Sequence, residues 1–98
     1  IAAADFLYTD TWIDMQYFND PNKLAEKTAL VAQMQRFQIN SDLVAHHDLK
    51  IMHDMPIHND YEITEAAVRD PRSIIFDQAA NRLHAQKGLL YWLLVANA

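Results

Sequence analysis

No cysteine occurs among the 98 residues, so the fold draws nothing from disulfides and zinc chemistry of the CxxC type is excluded. One glycine stands against 51% hydrophobic residues, a balance that belongs to a packed globular core and not to a disordered chain. Basic residues are scarce: eight Lys and Arg face thirteen Asp and Glu for a formal charge of -5, and no basic run interleaves with aromatics. Nucleic acid is therefore not an expected partner. The longest uninterrupted apolar run, Leu89 to Ala96, is too short to span a bilayer, and no basic-then-apolar leader opens the chain. These absences lead to the expectation of a soluble protein without membrane contact, and the lack of cysteine suits a reducing, cytoplasmic setting. No internal repeat or low-complexity tract is found. The chain opens Ile1-Ala2-Ala3-Ala4-Asp5 without an initiator methionine, which raises the expectation of a fragment or processed piece of a longer protein.

Phe6 to Trp12, rich in β-branched and aromatic residues, predicts a buried strand ending in a polar loop. Asp20-Pro21 supplies an N-cap and a first-turn proline for a helix from about Asn22 to Arg36, whose apolar Leu30, Met34 and Phe37 share a face. Asn40 caps a second short helix through Ala45, and Lys50-Ile51-Met52 begins a second strand. Thr64 caps a helical turn ending before Asp70-Pro71, Ser73 to Phe76 forms a third strand, and a last helix runs from about Gln78 to Ala96. The order β, α, α, β, α, β, α predicts an α/β fold with a parallel sheet flanked by helices, because parallel neighbours need crossovers. Asp14 to Asp20, polar and aromatic without a period, reads as a mobile loop. Within the last helix, Leu89 to Val95 is apolar all round and needs cover on more than one side. Three short strands cannot supply it, so a missing domain or partner chain is implied.

Open parallel sheets bind ligands at the carboxyl ends of their strands, which singles out three loops: Asp10 to Gln16, His53 to His58, and Asp77 to Arg82. Arg82, in the first turn of the expected last helix, would combine unpaired N-H groups, the positive end of the helix dipole and a guanidinium fork suited to carboxylate or phosphate. A salt bridge to Asp77 is the plainer alternative. His46, His47, His53 and His58, with Asp48 and Asp54, invite a metal reading. Yet adjacent His46 and His47 would point about 100° apart on a helix, and no pair shows HxxxH spacing, so no metal is assigned. His53 reads as the end of a strand, bonding its own loop. Met15, Met34, Met52 and Met55 are core or pocket filler. Asp10 and Asp14 either hold a ligand amine or are solvated loop acids.

Three segments taken together carry a resemblance. Tyr8-Thr9-Asp10-Thr11-Trp12, Met52-His53-Asp54-Met55-Pro56 and the run from Phe76 to Lys87, FDQAANRLHAQK, resemble the three signature stretches of the substrate-binding domain of ornithine carbamoyltransferases, and the aspartate branch less so. Gln38-Ile39-Asn40 agrees in order and spacing. The resemblance covers nearly the whole chain. It implies that residues 1–98 are the C-terminal part of a Rossmann-like, amino-acid-binding second domain, with the carbamoyl-phosphate domain absent, and it implies a trimer and no cofactor.

By the same resemblance Asp10 binds the α-amino group of an amino-acid acceptor and Arg82 binds carbamoyl phosphate. The His53 to Pro56 loop, with a cis bond before Pro56, lies against the carbamoyl group. His53, Asp54 and Arg82 are then the catalytic candidates, and Asp10, Asp14, Met15, Met55, Pro56 and Arg82 the substrate-binding ones. Two departures stand out. The family usually has cysteine where Asp54 stands and leucine at Met55, and Ser-Met-Gly where this chain has Asp14-Met15-Gln16. A carboxylate beside the reacting amine changes the local charge, which leaves a more basic or differently shaped acceptor than ornithine open. Carbamoyl transfer requires both substrates to be positioned and developing charge to be stabilised, so half a site is not expected to turn over. The expected function is the substrate-binding part of a carbamoyltransferase. The alternative is a non-catalytic α/β module that binds an anion or a protein partner.

Overall fold

The computed structural model describes residues 1–96, the side chain of Gln16 excepted. Phe6–Thr9 (β1) and Lys50–His53 (β2) pair in parallel, with Phe6 opposite Lys50 and Thr9 opposite His53. Strand β1 is shorter and less buried than the sequence suggests: it stops at Thr9, and Phe6 and Tyr8 are 59% and 52% exposed. A sheet two strands wide has one face of β1 open to solvent among the described residues. The inner strand β2 buries Ile51 and His53 completely, in keeping with its period of two.

Between the strands runs a helical crossover, as a parallel pair demands. Met15–Phe18 (α1) is one helical turn where a mobile loop is expected. A 3-10 turn at Pro21–Lys23 leads into Leu24–Met34 (α2), and Gln35–Phe37 closes it with a second 3-10 turn. The predicted cap is in place, since Asp20 accepts from the Asn22 N-H at 2.9 Å. Ser41–Val44 (α3) is capped by Asn40, whose side chain accepts from the Leu43 N-H at 2.9 Å. Glu65–Val68 (α4) is capped by Thr64 through the Ala67 N-H at 3.3 Å. The face of α2 carrying Leu30, Met34 and Phe37 contributes no buried residue and lines clefts instead of the core.

The third strand does not form. Ser73 makes a single parallel bridge to Ile51, and the Ile74 N-H donates to the Ile51 carbonyl at 3.0 Å. At the next residue the chain enters Ile75–Tyr91 (α5), and the Ile74 carbonyl accepts from the Gln78 N-H at 2.8 Å. Ser73 to Phe76 is a short run with no decisive period. The Ala-, Gln- and Leu-rich sequence behind it favours the helix, which therefore begins three residues earlier than expected. After Tyr91 the helix widens into a π-helical turn over Trp92–Ala96.

Ile39, Val44, Leu49, Ile51, Ile63, Ala67 and Ile75 form the buried core, each 0–2% exposed. Arg72 ties its edge. It donates to the carbonyls of Val44 and His47 and pairs with Asp70 at 2.8 Å. The hydrogen bonds from Arg72 hold the Asp70 carboxyl down at about 2. Leu89, Leu90, Tyr91, Trp92, Leu93, Leu94 and Val95 are each at least half exposed, Leu94 most so at 71%. No helix among the described residues is long and apolar enough to cross a membrane.

Candidate functional site

The parallel register fixes what meets what. Because Thr9 lies opposite His53, the residues that follow, Asp10 and Asp54, leave neighbouring strands at the same carboxyl end. Asp10 is exposed, and its carboxylate accepts from the Thr11 N-H at 2.6 Å. A cleft of about 470 Å³ opens beside it, walled by Tyr8, Trp12, Met34 and Phe37.

Beyond β2 the chain makes a tightly held loop. Met55 has φ 58, a left-handed conformation that is costly for a side chain of its size, and the Met55–Pro56 bond is cis. The cis bond is the one the resemblance implies. His53 is 0% exposed. Its backbone N-H donates to the Gln78 Oε1 at 3.1 Å, and its ring Nδ1 accepts from the Met55 N-H at 2.7 Å. An Nδ1 that accepts carries no proton, so Nε2 bears the ring hydrogen and donates it to Glu62 Oε1 at 2.9 Å. The prediction that His53 bonds its own loop is met, through Met55. Asp54 Oδ1 lies 3.5 Å from the same Nδ1 and has no hydrogen-bond partner.

Arg82 stands elsewhere than expected. With α5 beginning at Ile75, Arg82 lies two turns inside the helix, where backbone N-H groups are already bonded, so the helix-terminus component of an anion site is lost. Its guanidinium does not pair with Asp77. It donates to the Asp54 carbonyl at 3.3 Å and so reaches over the loop from the α5 side. Below the loop, Met55, Pro56, Val68 and Phe76 border a cleft of about 430 Å³. The structure thus gathers His53, Asp54, Met55, Pro56 and Arg82 around one loop, with Asp10 at the adjacent strand end.

Asp14 and Met15 are exposed, Met15 at 58%, and make no hydrogen bond to that loop. Their connection to it is indirect. Phe18, the last residue of α1, stacks on the His58 ring with centroids 4.0 Å apart and planes 10° from parallel. Sequence reasoning missed Phe18, Gln78 and Glu62. Glu62 was hidden by its type, because a carboxylate is almost never fully buried unless paired, and its partners lie four and nine residues away. Burial pushes its carboxyl up, but the hydrogen bonds from His53 and His58 outweigh burial and hold it below the ordinary carboxylate range. Among the described residues no group of three or more His, Asp or Glu is arranged to hold a metal ion.

The model of one protein family, described as aspartate/ornithine carbamoyltransferase, Asp/Orn binding domain, matches residues 1–93. The ornithine carbamoyltransferase of Paracoccus denitrificans is 42% identical over 96 residues, which are 96% of this chain and 30% of that protein. The crystal structure of the Thermus thermophilus ornithine carbamoyltransferase superposes with TM-score 0.72 at 36% identity, over 92% of this chain and 27% of that one. An N-acetyl-L-ornithine transcarbamylase, crystallised with carbamyl phosphate and N-succinyl-L-norvaline, superposes with TM-score 0.68 at 30% identity, over 91% of this chain and 26% of that one. The chain spans less than a third of the length of each of these relatives.

Proposed function

The chain belongs to the aspartate/ornithine carbamoyltransferase family, and on that premise we propose that it is the amino-acid-binding part of an enzyme that moves a carbamoyl group from carbamoyl phosphate to the amine of ornithine or a related amino acid. In that reaction the amine nitrogen forms a bond to the carbamoyl carbon, the bond from that carbon to the phosphate oxygen breaks, and phosphate leaves with the electron pair. The amine gives up a proton. One observation carries the reading: the Thr9–His53 register sets Asp10 beside the 53–58 loop, with Arg82 on the Asp54 carbonyl.

Each group then has a task. Asp10, exposed at the end of β1, takes the α-amino group of the acceptor, and Asp14 and Met15 border the same acceptor from the start of α1. The loop from His53 to Pro56 lies against the carbamoyl group, with Met55 held in a fixed conformation. Arg82, whose contact with the Asp54 carbonyl leaves donors to spare, takes an anionic oxygen of carbamoyl phosphate. Charge neutralisation by a guanidinium favours departure of the phosphate. Residues 1–98 form part of the amino-acid domain, and the phosphate-binding half of the site belongs to a further domain. The same reading takes a homotrimer as the assembly and the cytoplasm as the compartment, the latter supported by the cysteine-free composition.

Asp54 bears on the choice of acceptor. A carboxylate at this position adds negative charge beside the attacking amine, and pocket polar groups discriminate strongly between related substrates. That a relative 30% identical is an N-acetyl-L-ornithine transcarbamylase supports an acceptor that varies within the family. The test is steady-state kinetics on the full-length polypeptide that carries this chain. Arg82→Ala is expected to lower kcat/KM for carbamoyl phosphate about 100-fold, the scale of a lost charge-assisted contact, and Asp10→Asn to raise KM for the acceptor. Wild-type kinetics in both variants would refute the assignment.

A further inference from the structure

One buried carboxylate is absent from the roles above. Glu62 is 0% exposed, and a single oxygen, Oε1, receives two hydrogen bonds: one from His53 Nε2 at 2.9 Å and one from the His58 backbone N-H at 2.8 Å. These donors are the two ends of the 53–58 loop. Both ends are thus fastened to one atom, and between them lie Asp54, Met55 and Pro56, which the carbamoyl-transfer reading sets against the substrates, and Ile57, which packs on the core. Inside the closed loop the His53 Nδ1 accepts from the Met55 N-H, which holds Met55 at its left-handed φ of 58. Such a conformation persists only where its surroundings over-determine it. The return path is fixed as well, since the Gln38 side chain donates to the carbonyls of Asp60 and Tyr61, both at 2.9 Å.

The second fastening leads to the other acceptor loop. His58, whose N-H is held by Glu62, lays its ring on Phe18, and Phe18 ends the helical turn that starts beside Asp14 and Met15. The Lys27 ammonium covers Phe18 at 4.5 Å and donates to its carbonyl, so this turn is anchored from α2 also. A packed, hydrogen-bonded connection therefore runs from Glu62 to both segments that meet the amino acid.

We propose that Glu62 is a positioning residue for acceptor selection: by clamping both ends of the 53–58 loop on one oxygen, it fixes that loop and, through the His58–Phe18 stack, its alignment with the Asp14–Phe18 segment. The two acceptor loops then behave as one rigid surface, and an amine of the wrong length meets groups that do not move to accommodate it. This inference rests on the carbamoyl-transfer reading.

The experiment measures kcat/KM for ornithine and for lysine, one methylene longer, in the full-length polypeptide. The ratio of the two is the readout, because a lowered amount of folded enzyme cancels from it. Glu62→Ala is expected to narrow the ratio at least about tenfold, the scale at which small misplacements act, and Glu62→Gln, which keeps an oxygen able to accept both bonds, to recover most of the difference. A folded Glu62→Ala protein with the wild-type ratio overturns the proposal, and so does Glu62→Gln behaving like Glu62→Ala. If Glu62→Ala does not fold, Phe18→Ala decides: a narrowed ratio supports the linked loops and an unchanged one refutes them. A wild-type protein that carbamoylates neither amine is assayed with other amino-acid amines, the ratio then being taken between the accepted one and its one-methylene homologue; transfer to none of them overturns the carbamoyl-transfer reading instead. The clamp is then judged by hydrogen exchange of the Met55 and His58 amides, which must be slow in the wild type and at least about tenfold faster in Phe18→Ala or Glu62→Ala. Free exchange of both amides in the wild type overturns it.

Discussion

Replacing Trp92 by aspartate should turn the 98-residue chain from a self-associating species into a monomer. Leu90, Trp92, Leu93 and Leu94 are 56%, 54%, 50% and 71% exposed, and the surrounding Leu89, Tyr91 and Val95 are no better covered. Full burial of a leucine is worth about 1.5–3 kcal/mol, so each half-exposed one stands to gain about 1 kcal/mol. Trp92 leaves roughly 100 Å² open, worth about 2–3 kcal/mol. A segment apolar on all sides can bury about half of its surface in one pairing, giving about 5 kcal/mol per copy and about 10 kcal/mol for two. Against an association cost whose estimates begin near 4 kcal/mol, about 6 kcal/mol remains, a dissociation constant on the order of tens of micromolar. Trp92→Asp removes about 5 kcal/mol from the pair and weakens it by about a thousandfold or more. Sedimentation velocity from micromolar to millimolar concentration reads the difference. A wild-type chain that stays monomeric throughout, or a Trp92→Asp chain that associates as tightly as wild type, would mean that the exposed apolar segment at 89–95 does not drive association.

Three further outcomes are expected. Ile51, 0% exposed and at the centre of the core, should cost about 2–5 kcal/mol when truncated to alanine, measured by urea unfolding, a large share of what a domain of this size possesses; a loss under about 1 kcal/mol would contradict the packing described. Asp70 is held at about 2 from an ordinary 3.8 by Arg72. Its folded pKa is depressed, so its contribution is complete above about pH 4 and fades as the pH falls towards 2, and Asp70→Asn should flatten the stability profile in that window and nowhere else. Asp54→Cys in the full-length polypeptide should shift acceptor preference towards ornithine by removing a carboxylate from beside the amine; an unchanged ranking of amine substrates would remove Asp54 from the acceptor site.

Local chemistry was readable in the sequence and long-range chemistry was not. The caps at Asp20, Asn40 and Thr64 are each found where expected, because a cap depends only on a side chain and an N-H two or three residues on. The parallel pairing of β1 with β2 followed from the helical crossover between them. The third strand failed because the four residues Ser73 to Phe76 carry no period, and the start of α5 was misplaced with it. That error moved Arg82 from a helix terminus to mid-helix, so its expected anion site rested on backbone donors that are already bonded. Its contact with the Asp54 carbonyl spans 28 residues and no local pattern announces it. Of the three loops expected at strand ends, those after Thr9 and after His53 are found, whereas Asp77 to Arg82 lies inside α5. The Glu62 clamp and the Phe18–His58 stack were not identifiable, since each joins parts of the chain that only the fold brings together.

In the proposed reading, Asp10, the 53–58 loop and Arg82 serve carbamoyl transfer to an amino-acid amine. Its most direct test supplies the full-length polypeptide with carbamoyl phosphate labelled with ¹³C in the carbamoyl carbon, together with ornithine, and follows the carbon by NMR. The label is expected to move to a ureido carbon on the side-chain nitrogen, with one phosphate released for each transfer, and the new resonance to grow about 100-fold more slowly in Arg82→Ala at subsaturating carbamoyl phosphate. Label that remains in carbamoyl phosphate, or is lost only by its spontaneous breakdown, with ornithine and with every other amino-acid amine supplied, would contradict it.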